Sequence, residues 1–265
     1  MRPGLGGSFP ARDWRRGARS SVGEWMRPGL GGRLLRRLRV LGGSGRPRLP
    51  AAVLVASLPA CVGGDVPRVA FLGDSLTAGW RIGEDEAWPA VLARRLATSG
   101  RPIRAVNAGV GGDTVARAAA RLADVLKLRP DVLVVALGVN DGLLGVPFEE
   151  TERGLRGILT AARESGARVL LVGVSLPPGA EGTNTPERVR FLADLYPRLA
   201  ADYRLPLVPD LLAGVGGEPD LLFRDRLHPT AAGHLRLADN VRPHLERVLA
   251  EVEAARRSGH RPATP

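Results

Sequence analysis

The sequence predicts an α/β protein built on a doubly wound parallel sheet of five strands. From residue 67 onward, short runs rich in valine, leucine and isoleucine alternate with longer segments of helical character. The apolar runs show no polar alternation, which is typical of strands with both faces covered. Helix-length connections between successive strands favour parallel pairing in one three-layer α/β/α domain. These features predict a flavodoxin-like architecture.

Five strands and five helices account for residues 66–255, which we interpret as one domain. The predicted strands are residues 68–72, 103–107, 131–137, 168–174 and 206–208. The predicted helices are residues 86–99, 114–128, 149–165, 187–203 and 230–255. Apolar residues recur at helical spacing in the first helix (Leu92, Ala93, Leu96) and in the third (Leu155, Ile158, Leu159, Ala162). Asp113 is the expected N-cap of the second helix, and residues 256–265 are expected to form a disordered tail.

Residues 1–65 differ in composition from the rest of the chain. Residues 1–50 are rich in arginine, glycine and proline, and they contain twelve arginines against two acidic residues, Asp13 and Glu24. Such a segment cannot build an apolar core. The motif Met-Arg-Pro-Gly-Leu-Gly-Gly occurs at Met1 and again at Met26, so either methionine is a candidate start. We interpret residues 1–65 as a basic leader.

The leader ends in an uncharged, mostly apolar run from Ala51 to Val62. This run is shorter than the roughly 20 apolar residues that span a bilayer. A basic region followed by a short apolar region and small residues is the pattern of a secretory signal. The segment Leu58-Pro-Ala-Cys61 resembles a bacterial lipoprotein processing site. The pattern predicts an exported protein, either periplasmic or anchored to a membrane through a lipidated Cys61. The alternative is a cytoplasmic protein with a disordered arm and an incidental thiol.

The net charge of +11 suggests nucleic-acid binding, but its distribution argues against that function. Almost all of the excess lies in the leader, and residues 51–265 are close to neutral. No basic stripe interleaved with aromatic residues is present, so we expect no nucleic-acid partner. A single cysteine excludes an intramolecular disulfide and a thiolate metal cluster. The sequence also lacks the glycine fingerprints of nucleotide-binding loops, and we expect no cofactor and no metal.

Four loops carry polar residues that a simple connection does not need. The first, Gly73-Asp-Ser75, places a serine hydroxyl at the carboxyl end of the first predicted strand. The second runs from Asn107 to Thr114, and its three glycines allow backbone N–H groups to approach a ligand closely. Viewed alone, each of these loops is also an ordinary turn between a strand and a helix.

The third and fourth loops add an amide, a carboxylate and an imidazole. Asn140 follows the third strand within Gly138-Val-Asn-Asp-Gly142, which is also a good turn sequence. Asp225 precedes His228 by three residues, a separation that puts both side chains on the same side of one turn. A carboxylate beside an imidazole fixes its tautomer and stabilises the imidazolium, so we expect Asp225 to raise the pKa of His228. A lone Asp-x-x-His pattern is also common as a purely structural feature.

Parallel strands bring their carboxyl ends to one edge of the sheet, so the four loops are expected to converge there. A serine, a histidine, a carboxylate and further donors for an oxyanion then meet in one crevice. This set meets the requirements of acyl transfer through a serine nucleophile.

These four blocks resemble those of the SGNH hydrolases, also called GDSL esterases, over residues 68 to about 245. Within that family the pattern is most similar to the bacterial periplasmic acyl-CoA thioesterase, lysophospholipase and arylesterase group. Three stretches carry this closer match: Gly73-Asp-Ser-Leu-Thr-Ala-Gly-Trp-Arg81 with Ala87-Trp-Pro89, Gly112-Asp-Thr114, and Asn140-Asp-Gly-Leu143 with Thr151-Glu152. Val139 stands where that group often has glycine.

The resemblance implies a role for each of these residues. Ser75 is the implied nucleophile, His228 the base and Asp225 the residue that orients the base. The N–H groups of Ser75 and Gly112 and the side-chain amide of Asn140 are the implied oxyanion donors. The implied activity is hydrolysis of small-molecule carboxylic esters or thioesters through an acyl-enzyme, by a protein that we expect to be a monomer.

Two other functions remain open at this point: a carbohydrate O-acetylesterase, which uses the same four blocks, and a non-catalytic flavodoxin-like binding domain. Apolar segments after the third and fourth strands, Leu143-Leu-Gly-Val-Pro-Phe148 and Leu176-Pro-Pro178, favour medium to long acyl chains over acetyl groups on sugars. The alternative is that these segments pack into the core.

Other polar and aromatic residues near these blocks have simpler interpretations. Asp74 is expected to brace its turn, and Asp141 to act as a turn or strut residue. His234 and His244 are expected at the surface or in packing, and Trp80 and Trp88 in packing rather than in ligand stacking.

Overall fold

Five parallel strands form the centre of the protein, whose computed structural model describes residues 66–176 and 185–258. The strands are β1 (Arg68–Gly73), β2 (Arg104–Gly109), β3 (Val132–Ala136), β4 (Arg168–Val172) and β5 (Leu207–Val208). The helices are α1 (Ser75–Ala78), α2 (Trp88–Thr98), α3 (Val115–Lys127), α4 (Val139–Leu144), α5 (Phe148–Glu164), α6 (Pro186–Tyr203) and α7 (Ala231–Arg257). The predictions for residues 1–65, for Pro177-Pro178 and for residues 259–265 lie outside the described residues.

The strand order is β2-β1-β3-β4-β5, with every pair parallel, and this confirms the predicted fold class. Each helix-bearing connection returns the chain to the same end of the sheet, as parallel pairing requires. All five residues of β3 are buried, since helices cover the sheet on both faces. The missing polar alternation in the sequence therefore has a direct structural cause.

β1 lies between β2 and β3, at the point where the strand order reverses. Gly73 at the end of β1 pairs in register with Gly109 of β2 on one side and with Ala136 of β3 on the other. The loops that follow these three strands consequently begin side by side at one edge of the sheet. Open α/β sheets bind their ligands at this kind of position.

Gly109 marks a close approach between β2 and α1. A Cβ atom at Gly109 would lie 2.4 Å from the backbone nitrogen of Ala78 and 2.8 Å from the carbonyl carbon of Thr77. In addition, the side-chain amide of Asn107 donates a 2.9 Å hydrogen bond to the carbonyl of Thr77. The short helix after β1 is therefore held directly against the backbone of the neighbouring strand.

Apolar stripes attach the long helices to the sheet as predicted. In α5 the buried residues include Leu155, Ile158, Leu159 and Ala162, which confirms the predicted stripe. In α2 Leu92 and Leu96 are fully buried, and Ala93 is partly buried against the core. No helix in the described part of the chain is both long and apolar enough to cross a membrane.

Two local predictions were wrong. Thr114, not Asp113, caps α3: its side chain accepts the N–H of Arg117, while the Asp113 carboxylate forms an ion pair with Arg121. The helix start expected after Gly73-Asp-Ser75 is present as α1, whereas the six-residue α4 was predicted as a loop, because a helix this short shows no apolar periodicity. Helix α7 continues to Arg257, two residues beyond its predicted end.

Candidate active site

Ser75 is the first residue of α1, directly after the end of β1. The Asp74 side chain caps this helix by accepting the N–H of Leu76 at 2.9 Å. Ser75 is 6% exposed. Its backbone N–H belongs to the first turn, where the N–H groups have no acceptor within the helix. A strand that ends in a tight turn into a helix thus presents both the hydroxyl and the N–H of one serine.

Ser75, His228 and Asp225 form a continuous hydrogen-bonded chain. Nε2 of His228 lies 2.9 Å from Oγ of Ser75, and Nδ1 lies 3.0 Å from Oδ2 of Asp225. With the proton on Nδ1, the Nδ1–H group donates a hydrogen bond to the carboxylate, and Nε2 is free to accept the serine proton. These three residues come from sequence positions up to 153 residues apart, and the geometry is that of a nucleophile with a general base.

Asp225 is held as a carboxylate by the turn that contains it. Its Oδ1 accepts the backbone N–H groups of Leu227 and His228, each at 3.0 Å. Burial acts to raise the pKa of Asp225, but these two N–H groups and the imidazole outweigh burial and hold the pKa below its usual range. The fixed carboxylate in turn fixes the orientation of the imidazole.

The surroundings of His228 favour its neutral imidazole form. Burial lowers the pKa of His228, Asp225 opposes that shift, and the positive charge of Arg81 adds to it. The net change is downward from the ordinary value. Asp225 therefore raises the pKa of His228 as expected, but the burial of the ring, which could not be estimated from the sequence, outweighs this contribution.

Two further oxyanion donors predicted from the sequence, Gly112 and Asn140, follow the two strands that lie on either side of β1. Gly112 follows β2 in a left-handed conformation, with φ of +76°, in a place where a Cβ would meet no atom within 4 Å. Glycine is favoured there by the backbone conformation and not by crowding. The side-chain amide of Asn140, in α4 after β3, donates to the carbonyl of Asp113 at 2.9 Å. This contact joins α4 to the loop that follows β2.

Asp141 supports the same junction from within α4. Its Oδ2 accepts the N–H of Val115, the first residue of α3, at 2.9 Å, and its Oδ1 lies 3.4 Å from the hydroxyl of Thr151. One buried carboxylate therefore connects α4 to the beginning of α3 and to α5. This agrees with the strut role expected for Asp141.

Asp74 is buried, and only one of its carboxylate oxygens has a hydrogen-bond partner among the described residues. Burial raises the pKa of Asp74 to about 7; the N–H of Leu76 opposes the shift, and the charges of Asp141 and Asp113 add to it. Its capping contact agrees with the expected role as a brace of the turn.

Arg121 is a residue that the sequence analysis missed. From α3 it forms a 2.7 Å ion pair with Asp113 and donates a 3.0 Å hydrogen bond to the carbonyl of Gly73. It thus joins the turn that carries Ser75 to the loop that carries Gly112. An arginine in the middle of an amphipathic helix gives no local signal of such a role.

Trp80 packs as predicted, but its neighbour is the candidate base. The indole lies 4.1 Å from the imidazole of His228 between ring centroids, at an angle of 31°. The guanidinium carbon of Arg81 lies 3.9 Å from the centroid of the same indole. Trp88 is fully buried against Phe71, and its backbone N–H donates to Nδ1 of His234 at 3.1 Å, which confirms the packing interpretation of Trp88 and of His234.

The two apolar segments that follow β3 and β4 are divided between surface and core. Leu144 at the end of α4 is 68% exposed. Phe148, in contrast, stacks on Phe191 of α6 with ring centroids 4.4 Å apart, and Leu176 is buried against Gly142. Leu144 is therefore available to a ligand, whereas Phe148 and Leu176 serve packing.

Comparisons with known proteins agree with this geometry. The profile of the GDSL-like Lipase/Acylhydrolase family matches residues 71–236. Esterase TesA of Pseudomonas aeruginosa is 37% identical over 179 residues, which cover 67% of this chain and 87% of that protein. The thioesterase 1/protease 1/lysophospholipase L1 of Escherichia coli K12 is 35% identical over 170 residues, covering 64% and 78% respectively. A crystal structure of TesA superposes with a TM-score of 0.64 at 36% identity, covering 68% of this chain and 99% of that structure.

Proposed function

The chain belongs to the GDSL-like lipase/acylhydrolase family of SGNH-type serine hydrolases that act on esters, and from this we propose that Ser75 is its nucleophile. The observation that carries the proposal is the 2.9 Å contact between Oγ of Ser75 and Nε2 of His228. A half-buried imidazole whose lowered pKa favours the neutral form is able to remove the hydroxyl proton as the oxygen attacks a carbonyl carbon.

The proposed reaction proceeds in two steps. Ser75 attacks the ester or thioester carbonyl while His228 takes its proton. The imidazolium then protonates the leaving oxygen or sulfur, and the acyl group stays on Ser75. In the second step His228 removes a proton from water, and the oxygen of that water attacks the acyl-enzyme. The imidazolium then returns the proton to Oγ of Ser75 as the carboxylic acid leaves. Asp225 orients the imidazole and stabilises its positive charge in both steps.

The negative charge that develops on the carbonyl oxygen requires donors that are already in place. We assign this role to the N–H of Ser75, the N–H of Gly112 and the side-chain amide of Asn140. The register of β1 with its neighbours and the Asn140–Asp113 hydrogen bond support this assignment. Loss of one such donor typically costs on the order of 3–4 kcal/mol of transition-state stabilisation.

Covalent labelling tests the nucleophile. A fluorophosphonate should modify Ser75, and mass spectrometry of the digested protein should find the adduct on its peptide. The Ser75→Ala variant should take no label and lose hydrolysis by on the order of 10⁴-fold or more. Ser175→Ala is the matched control, because Ser175 also follows a strand at this edge but its hydroxyl is bound to Asp210 at 2.8 Å. Label on Ser175, or turnover by Ser75→Ala close to that of the unchanged protein, would contradict the proposal.

The preference for an acyl-chain length, the export of the protein and its oligomeric state are also proposals. The exposed Leu144 supports a preference for medium to long acyl chains over acetyl groups on sugars. The basic leader followed by an apolar run supports export, with Cys61 as a candidate lipidation site in a segment outside the described residues. We further propose that the protein acts as a monomer.

A further inference from the structure

Arg81 lies beside the candidate base and is not explained by the proposed mechanism. It is exposed, and its guanidinium carbon is 3.9 Å from the centroid of the Trp80 indole. The same indole contacts the imidazole of His228 at 4.1 Å. One aromatic ring therefore separates the side chain that handles the proton from a cation that faces solvent.

The charge of Arg81 is not compensated by an ion pair within residues 66–176 and 185–258. Acidic residues follow it in the same loop, but the Glu86 carboxylate accepts the N–H of Gly83 instead. Two more exposed arginines, Arg224 and Arg226, flank Asp225 in the sequence. The depressed pKa of His228, to which Arg81 contributes, agrees with a positive potential at this point.

The path of the catalytic proton indicates that Arg81 lies near the leaving group of the substrate. His228 delivers its proton to the leaving oxygen or sulfur, so that atom must approach Nε2. Whatever is attached to it then extends past the imidazole toward its neighbours, Trp80 and Arg81. The proposed oxyanion donors, in contrast, serve the carbonyl oxygen, and Leu144, which is proposed to cover the acyl chain, follows Asn140 on α4. Arg81 is thus placed to meet the leaving group and not the acyl group.

We propose that Arg81, supported by the face of Trp80, binds a phosphate carried by the leaving group of the substrate. The inference rests on the proposed function, since it uses His228 as the group that protonates the leaving atom. A guanidinium pairs with phosphate oxygens through two parallel N–H donors, and stacking on an indole restricts its orientation in advance. Two kinds of substrate carry such a phosphate on the leaving group: an acyl-coenzyme A and a lysophospholipid.

Arg129 provides a matched control for Arg81, because both residues have the same backbone conformation. Arg81 is in the left-handed region with φ of +64°, and Arg129 adopts the same conformation with φ of +52°. Arg129 is also exposed, but it precedes β3 at the opposite end of the sheet. Arg81→Gln and Arg129→Gln therefore remove the same charge from the same backbone conformation, and only the first acts beside the indole.

The experiment compares two pairs of substrates that share an octanoyl chain. In the thioester pair, octanoyl-coenzyme A is compared with the octanoyl thioester of N-acetylcysteamine, which has no phosphate. In the oxygen-ester pair, octanoyl lysophosphatidylcholine is compared with monooctanoylglycerol. The measured quantity is the ratio of kcat/KM for the phosphate-bearing member to that of its neutral partner. This ratio cancels any change that Arg81→Gln makes to the pKa of His228.

Arg81→Gln should lower the ratio by about tenfold in at least one pair, mainly through KM, because a charge-assisted contact to phosphate is lost. Arg81→Lys should retain part of the ratio, and Arg129→Gln all of it. A fall in the thioester pair alone identifies coenzyme A as the source, and a fall in the other pair alone identifies the lipid headgroup. An unchanged ratio in both pairs, or no hydrolysis of either phosphate-bearing substrate, would overturn the inference. The labelling of Ser75 is independent of this result.

Discussion

Arg121 and Asp113 form a 2.7 Å ion pair, and the same guanidinium donates a 3.0 Å hydrogen bond to the carbonyl of Gly73. The Asp113 carbonyl in turn accepts the amide of Asn140. One arginine thereby joins the turn of the proposed nucleophile to the loops of two proposed oxyanion donors. None of these contacts touches the substrate, so Arg121 is a positioning residue.

Replacement of Arg121 by glutamine should lower kcat by on the order of 10- to 100-fold with little change in KM, because displacement of the oxyanion donors affects the transition state most. Arg121→Lys should recover part of the loss by keeping the charge. Arg117→Gln is the control, since Arg117 is exposed on the same helix. Steady-state kinetics below the unfolding temperature of each variant give the comparison. A loss of stability with unchanged kcat in the folded variant would show that Arg121 only supports the fold.

The pH dependence of the reaction should report the half-buried imidazole of His228. His228 must be neutral to accept the proton of Ser75, and burial lowers its pKa below 6.5 despite Asp225. The value of kcat/KM should therefore rise with pH to a plateau, with an apparent midpoint below 6.5. Removal of the nearby positive charge in Arg81→Gln should raise the midpoint, and removal of the negative charge in Asp225→Asn should lower it.

These profiles are measured with a neutral ester so that the leaving group carries no charge of its own. Asp225→Asn should also reduce the plateau by on the order of 10³- to 10⁴-fold, because the imidazole loses the partner that fixes its tautomer. A profile with no acidic limb, or a midpoint above the ordinary value for histidine, is incompatible with His228 as the base.

The preference for longer acyl chains should depend on Leu144. If this exposed leucine covers substrate methylenes, Leu144→Ser should reduce the ratio of octanoyl to acetyl hydrolysis by about threefold or more, since one buried methylene is worth about 0.8 kcal/mol. Leu235→Ser is the control, because Leu235 is 46% exposed on α7. Measurement uses acetyl, butyryl, octanoyl and palmitoyl esters of one leaving group. A steady fall in specificity from acetyl onward, together with release of acetate from acetylated xylan, would favour the carbohydrate esterase.

Two glycines of α5 should respond in opposite directions to alanine. A Cβ at Gly157 meets no atom within 4 Å, and its backbone is helical, so Gly157→Ala should stabilise the protein by about 0.5–1 kcal/mol. A Cβ at Gly154 would lie 2.6 Å from Cγ1 of Val115 on α3, so Gly154→Ala should destabilise it by about 1–3 kcal/mol. Urea unfolding of both variants gives the comparison. Equal effects at the two positions would contradict the packing of α5 against α3.

The leader should be removed in a bacterial host. The basic region and the apolar run that ends at Ala60-Cys61 predict cleavage before Cys61 and addition of lipid to its thiol. Intact-mass analysis of protein from each cell fraction measures both events, with Cys61→Ser as the control for lipidation. Cleavage without lipid would exclude only the anchor, whereas an uncleaved chain in the cytoplasm would exclude export.

Sequence reasoning was most effective for the parallel sheet and the positions of the four loops. Buried parallel strands have a compositional signal of their own, and the topology of such sheets places every strand end at one edge. This is why Ser75 and His228 could be assigned to one site although they lie far apart in the chain.

The remaining features depend on the three-dimensional environment of side chains. The contact of Trp80 with His228, the bridge made by Arg121 and the direction of the pKa shift of His228 all arise between elements that are distant in sequence. The cap of α3 illustrates the same limit on a smaller scale. Asp113 and Thr114 are both good capping residues, and the choice between them follows from the ion pair that occupies Asp113.

The close approach at Gly109 restricts how this enzyme can be altered by directed evolution. Any side chain there must displace the backbone of α1, and a Cβ at Gly73 would likewise meet the side chain of Thr77. Random libraries selected for new substrates should therefore retain glycine at both positions while variation accumulates in residues 81–86 and 143–146. Libraries confined to those two segments should contain a larger share of folded, active members than libraries of equal size aimed at the strand ends.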